Sequence, residues 1–286
     1  MKQLTIISGK GGTGKTTITA AFATLSESLV IADCDVDAAD LHLILSPDIE
    51  KSGEFMGGKT AVIDQNKCTK CDECVRLCRF DAISDYRVDP ISCEGCGLCA
   101  RACPEGAITM EQNISGEWFI SKTRRGYMTH ARLGIAEENS GKLVTLVRQH
   151  AKLIAEKENK NYVIVDGPPG IGCPVIAAIT GVDVLLAVTE PTLSGIHDLK
   201  RIVGVAQHFN IPILVCINKF DINPYNTSTI EEFCTQNNLI LVGKIKYDPD
   251  VTKAMVNKKS IIEYGCNGIT EEVKKMWEKV QSYLGE

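Results

Sequence analysis

The sequence has no run of about 18 apolar residues, so no helical membrane span is expected. It has no charged-then-apolar leader either, because a strand-like run, Leu4-Thr5-Ile6-Ile7, begins almost at once. The expected compartment is therefore cytoplasmic. Positive charge is not in excess: 31 Lys and Arg stand against 36 Asp and Glu, a formal net charge of −5. The composition thus gives a nucleic-acid partner no electrostatic support. The 286 residues, 44% hydrophobic and 23% charged, suit an ordinary α/β domain with room for a small insert.

Cysteine, in contrast, is abundant. There are 13, and eight of them fall between Cys68 and Cys103. Without an export signal such clustering argues for metal rather than for disulfides.

Six apolar, β-branched runs read as strands buried on both faces: Leu4–Ile7, Leu29–Ala32, Tyr162–Val165, Val182–Val188, Ile211–Ile217 and Leu239–Ile245. Helical patterns lie between several of them, over Lys15 to about Ser26, Lys142–Glu158 and Gly195–Phe209. This alternation predicts an α/β fold, a mostly parallel sheet with helices on both faces. Residues 61 to 110 break the rhythm with an internal repeat offset by 25 residues. Cys68, Cys71, Cys74 and Cys78 recur as Cys93, Cys96, Cys99 and Cys103, and Ala82-Ile83 recurs as Ala107-Ile108. Each copy is too short to bury a core alone, so metal is expected to supply the missing stability. The expected organisation is a domain of residues 1–59 and 111–286 with an α+β module, 60–110, inserted in it. At the C-terminal end, Val273, Met276, Trp277, Val280 and Leu284 share one helical face. The opposite face mixes acids and lysines, so docking on the protein's own sheet is expected rather than membrane binding.

Gly9, Lys10, Gly11, Gly12, Thr13, Gly14, Lys15, Thr16 and Thr17 follow the first strand and open a helix, matching the phosphate-binding P-loop pattern. Glycine backbone N–H groups and the helix N-terminus suit phosphate oxygens. Lys15 is expected on the β- and γ-phosphates and the Thr16 hydroxyl on Mg²⁺. Val163-Ile164-Val165-Asp166 forms a Walker B pattern, with Asp166 near Mg²⁺. The turn Gly167-Pro168-Pro169-Gly170 suits a loop that senses the γ-phosphate. Asp33 and Asp35 end the second strand, where carboxylates face the phosphate crevice of an open α/β sheet.

The two cysteine runs each read C-x2-C-x2-C-x3-C, and the second ends in Pro104. The doubled pattern resembles that of bacterial ferredoxins with two [4Fe–4S] clusters, in which the fourth cysteine of each run serves the other cluster. The resemblance implies one cluster on Cys68, Cys71, Cys74 and Cys103, and a second on Cys93, Cys96, Cys99 and Cys78. Arg79 stands where a proline normally follows the fourth cysteine, and its charge should favour the more negative, reduced state.

Together the motifs resemble the MinD/ParA superfamily of P-loop ATPases. That resemblance implies ATP and ADP as ligands with Mg²⁺. It implies that Lys10, the signature lysine of a deviant Walker A loop, reaches a partner's nucleotide across a dimer. Asp33 would support the Mg²⁺ shell, Asp35 would position the attacking water, and Asn218 would contact adenine. A homodimer, or a heterodimer with a related ATPase chain, follows. Cys173 lies at the spacing of a cluster ligand in the related nitrogenase iron protein; a packed thiol is the other reading. Thr189-Glu190-Pro191-Thr192 either lines the crevice or caps a helix. The run 137–144 has no explanation from spacing.

The function implied first is ATP-gated electron transfer to a redox partner. An ATPase that assembles iron–sulfur or other metallocofactors on a protein partner is the alternative, and a positioning ATPase is a third. Neither a nucleic acid nor a membrane is an expected partner.

Overall fold

A computed structural model describes residues 1–134, 140–266 and 268–285; the unexplained positions 137–139 lie outside the described residues. The elements in chain order are β1 (Lys2–Ser8), α1 (Lys15–Leu25), β2 (Leu29–Asp33), α2 (Leu41–Leu45), β3 (Asp48–Ile63), α3 (Glu73–Leu77), β4 (Ile83–Ser84), β5 (Arg87–Val88), α4 (Leu98–Ala102), β6 (Ile108–Thr123) and β7 (Gly126–Leu133). They continue with α5 (Ser140–Lys157), β8 (Tyr162–Pro169), α6 (Cys173–Ile179), β9 (Val184–Thr189), α7 (Leu193–His208), β10 (Ile213–Asn218), α8 (Pro224–Gln236), β11 (Ile240–Ile245), α9 (Asp250–Val256), α10 (Ile261–Tyr264) and α11 (Thr270–Leu284).

The chain divides into two compact units, one of residues 1–52, 118–132 and 140–286 and one of residues 53–117 and 133–139. The boundaries drawn from the repeat, at 60 and 110, fall inside the second.

The first unit is α/β. Its sheet runs β11-β10-β9-β1-β8-β2-β7 and continues through β6 to β3. The pairs β1–β8, β1–β9, β2–β8, β2–β7, β9–β10 and β10–β11 are all parallel. The six expected strands are all present, within a few residues of their apolar runs. Alternation along them splits the core between the two faces of the sheet. Leu4 and Ile6 join the side filled by α1 and α11, whereas Ile7 joins the side filled by α6, α7 and α8. Val273, Met276, Trp277, Val280 and Leu284 are all buried in the first of these cores, with the Trp277 ring 4.8 Å from that of Phe22.

Strands β3, β6 and β7 were not legible as strands. Half of β3 lies in Lys51–Lys59, where glycine, lysine and serine interrupt any hydrophobic alternation in the sequence, and its first five residues are exposed. Gly126–Leu133, for which no element was expected, forms β7, and α5 starts at Ser140, two residues before the expected helix Lys142–Glu158. After β6, Arg124 donates to both Glu263 oxygens, at 2.8 Å each, and to the carbonyls of Ile44, Leu45 and Lys258. Arg125 reaches the same carboxylate at 2.6 Å. These bonds, led by that from Arg124 and opposed by burial, hold Glu263 well below the usual carboxylate range.

In the second unit the 25-residue repeat has a structural counterpart. The N–H of Asp64 donates to the carbonyl of Ala107, and the N–H of Asp89 to that of Ala82, both at 2.8 Å. Each copy thus closes its backbone on the other. Helices α3 and α4 occupy equivalent places in the copies, and β4 and β5 form a short antiparallel pair, Ile83 opposite Val88. The shared core is small: Ala61, Ile63, Cys74, Ile83 and Ile108, with further cysteines packed around it.

Candidate functional site

In the first unit a pocket of about 440 Å³ is lined by the P-loop, Asp35, Pro169, Asn218 and the segment Lys246–Asp248, with Val251 and Met255 as an apolar wall. Its size is that of a small-molecule site. Gly12 and Gly14 adopt positive φ, 78° and 92°, which suits glycine. A Cβ on Gly14 would stand 2.3 Å from the Asn218 amide nitrogen, so glycine is what lets that side chain close on the loop. The amide donates to the Thr13 carbonyl at 2.7 Å, and Lys219 Nζ donates to the Gly12 carbonyl at 3.0 Å. The end of β10 therefore fixes the P-loop from behind.

Parallel pairing brings the carboxylates together, because β2 and β8 place Asp33 beside Asp166. Lys15 Nζ, at the start of α1, lies 3.0 Å from Asp166 and 3.4 Å from Asp35. Thr16 Oγ1 donates to Asp166 at 2.8 Å, and Thr19 Oγ1, one helical turn beyond Lys15, donates at 2.9 Å. Burial works against the Lys15 charge, but Asp166, Asp35 and Asp33 outweigh it and raise its pKa. Burial, reinforced by Asp166, pushes the Asp33 carboxyl well up. Asp33, Asp35 and Asp166 set three carboxylates against the Lys15 ammonium. Asp33 Oδ2 and Thr13 Oγ1 are buried and lack a hydrogen-bond partner among the described residues. A dication beside Asp166 and phosphate oxygens over the loop would supply the missing charge and partners. The residues present therefore fit Mg²⁺ and a nucleotide.

Lys10 does not stand free. Its ammonium is 2.5 Å from Glu190 Oε1, in the connection between β9 and α7. Thr192 in that connection caps α7, accepting from Gly195 N at 3.0 Å. Thr192 thus fits the helix-capping reading, and none of Thr189–Thr192 is among the residues lining the pocket. Glu190 itself, like Thr19, was not singled out as a site residue. Thr19 had a signal, being four residues after Lys15 on the face of α1 turned to β8; Glu190 had a weaker one, in the turn that follows the buried strand β9.

The sequence profile of the CobQ/CobB/MinD/ParA nucleotide binding domain matches residues 4–261. The chain belongs to that family. Among its relatives is an uncharacterized protein of Methanocaldococcus jannaschii, 32% identical over 99% of this chain and 97% of the relative. The fold of the MinD/ParA chain is similar to that of the septum site-determining protein MinD of Pyrococcus horikoshii, solved with Mg-ADP. The TM-score is 0.60 at 18% identity, covering 99% of this chain and 97% of that one. A local match of a different kind covers 51 residues, 18% of this chain, at 41% identity: the pyruvate synthase subunit PorD of Methanothermobacter marburgensis, of which it covers 63%.

The second unit of this MinD/ParA chain holds two small cavities. One has Cys68, Cys71, Cys74 and Cys103 in its lining. The other has Cys78, Cys93, Cys96 and Cys99. Among the described residues no group of three or more His, Cys, Asp or Glu side chains is arranged to hold a single metal ion. Outside this unit, Cys34, Cys216, Cys234 and Cys266 are buried, and Cys173 is exposed at the start of α6. Among the described residues no helix is long and apolar enough to cross a membrane.

Proposed function

We propose that this MinD/ParA-family chain is a Mg²⁺-dependent ATPase whose nucleotide state gates electron transfer through two [4Fe–4S] clusters to a protein partner. The observation that carries the cluster half is the lining of the two cavities. Their cysteines separate into Cys68, Cys71, Cys74, Cys103 and Cys78, Cys93, Cys96, Cys99. This is the interleaved grouping of two-cluster ferredoxins. A four-iron cluster takes one thiolate on each iron, so its ligands surround a cavity rather than converge on one point. That no single-ion site is found among the described residues is compatible with that chemistry. When bound, such clusters supply one-electron transfer. On this reading residues 60–110 form the inserted module of an ATPase domain built from 1–59 and 111–286.

On the nucleotide side, Gly9, Gly11, Gly12, Thr13, Gly14 and Thr17 form the phosphate cradle, and Lys15 neutralises the β- and γ-phosphates. Thr16, Asp33 and Asp166 hold or support Mg²⁺. Asp35 orients the attacking water, and Asn218 reads the base. Lys10 serves a nucleotide bound by a second chain, identical or related, so that ATP joins two subunits. Binding energy that differs between the ATP and ADP states can then drive a change of shape.

The test is made on anaerobically prepared, iron-replete protein. The reduced protein, mixed with an oxidised low-potential acceptor protein, should deliver electrons at least about tenfold faster with Mg·ATP than with Mg·ADP. Equal rates would refute gating. Loss of the iron itself to an iron-free acceptor would instead identify an assembly ATPase.

A further inference from the structure

Lys10 and Lys219 both stand at the P-loop, and one carboxylate holds them both. Glu190 Oε1 is 2.5 Å from Lys10 Nζ, and Oε2 is 3.2 Å from Lys219 Nζ. The Glu190 side chain is only 10% exposed, against 35% for Lys10. Lys219 is itself anchored on the Gly12 carbonyl, which fixes the carboxylate between loop and lysine. Thr192 Oγ1, 3.4 Å from Lys10 Nζ, completes the enclosure. Lys10 is therefore turned in against the β9–α7 connection of its own chain. Burial works against the Glu190 charge, but its bonds to the two ammoniums win and hold its pKa low.

We propose that Glu190 is a positioning residue that holds Lys10 in cis, so that nucleotide-bound chains join only when Lys10 leaves it. The inference rests on the reading that Lys10 serves a second chain's nucleotide. An ammonium already paired must exchange one anion for another, which lowers its net gain on crossing to phosphate. Because Lys10 is partly exposed, it can leave without disturbing the core. Glu190 keeps Lys219 after that exchange, so the loop stays anchored.

Two measurements separate the inference from the reading beneath it. The first needs no second chain: acylation of individual lysines in the nucleotide-free protein, read by mass spectrometry. Glu190→Gln should raise the Lys10 rate about fivefold, the value of one partly exposed ion pair of about 1 kcal/mol. An unchanged rate overturns the cis hold.

The second is the association constant with a non-hydrolysable ATP analogue, from sedimentation velocity. Glu190→Gln should tighten association about fivefold for each chain, about 25-fold for a symmetric pair. Glu190→Asp should act in the same direction but less. On a Lys10→Ala background the Glu190→Gln effect should vanish. A Glu190→Gln protein that associates no better than the parent, or equally with and without Lys10, overturns the proposal. Parent and variant that both stay monomeric with nucleotide overturn the dimer reading, and the proposal falls with it.

Discussion

Consider the substitution Asp33→Asn in protein free of metal and nucleotide. Asp33 is fully buried and stands in register with Asp166 on the neighbouring strand. Its Oδ1 accepts the Asp35 N–H at 3.2 Å, and its Oδ2 has no partner among the described residues. Asparagine keeps the carbonyl that serves Asp35 and removes a carboxylate that burial and Asp166 both disfavour. A buried charge beside a like charge costs at least about 1–3 kcal/mol. Relieving that cost should raise the melting temperature by about 2–12 °C for a unit of roughly 200 residues. On the proposed reading of the site, the same change also removes a charge that supports Mg²⁺. Losses of about 10–100-fold in metal affinity are usual when such a supporting group is lost. Thermal unfolding in excess chelator, followed by fluorescence of Trp118 and Trp277, measures the first effect. The Mg²⁺ concentration needed to bind a fluorescent ATP analogue measures the second. A variant that melts at or below the parent, or that keeps the parent's Mg²⁺ requirement, would refute the electrostatic account of this site.

Other predictions concern different parts of the molecule. Glu263→Gln should cost about 1.5–3 kcal/mol at pH 7, because Arg124 and Arg125 lose a shared carboxylate. Since the folded-state pKa is depressed, that stability is present above the ordinary value of 4.5 and is lost as pH falls through the folded value. Urea midpoints of parent and variant should therefore converge in acid. Gly9→Ala would set a Cβ 2.0 Å from the Asp198 Cβ, whereas Gly11→Ala meets nothing within 4 Å. The first should lower the melting temperature of the nucleotide-free protein by several degrees, about 2–4 °C for each kcal/mol, and the second should leave it nearly unchanged. Cys71→Ser and Cys96→Ser, one from each cavity, should each reduce iron from about eight to about four per chain. Cys234→Ser, at a buried cysteine outside both cavities, should retain full iron.

What the sequence made legible follows from the strength of each local signal. The six strands of the parallel sheet were readable because burial on both faces leaves no room for polar interruption. The P-loop, Asp33, Asp35, Asp166 and Asn218 were readable because each sits at the end of such a strand or just beyond, and in the structure all of them converge on one pocket region. Strands β3, β6 and β7 were hidden for the opposite reason. Most of β3 is exposed or half-buried, so its sequence carries little period-2 pattern. The reciprocal backbone bonds of Asp64 and Asp89 follow the 25-residue offset that the repeat already shows in the sequence. Glu190 was legible only as part of the turn after a buried strand, since no motif marks a residue whose partners lie 180 and 29 positions away.

The central claim is that the nucleotide site and the cysteine-lined cavities are energetically coupled. It is tested most directly by titrating the iron centres anaerobically, followed by EPR, with and without Mg·ATP. Coupling is reciprocal, so a potential that moves with ATP requires an ATP affinity that moves with reduction by the same free energy. The account predicts a shift of about 60 mV or more, roughly 1.4 kcal/mol for a one-electron couple, together with a matching change of about tenfold in ATP affinity. Potentials and affinities that are both unchanged would contradict it.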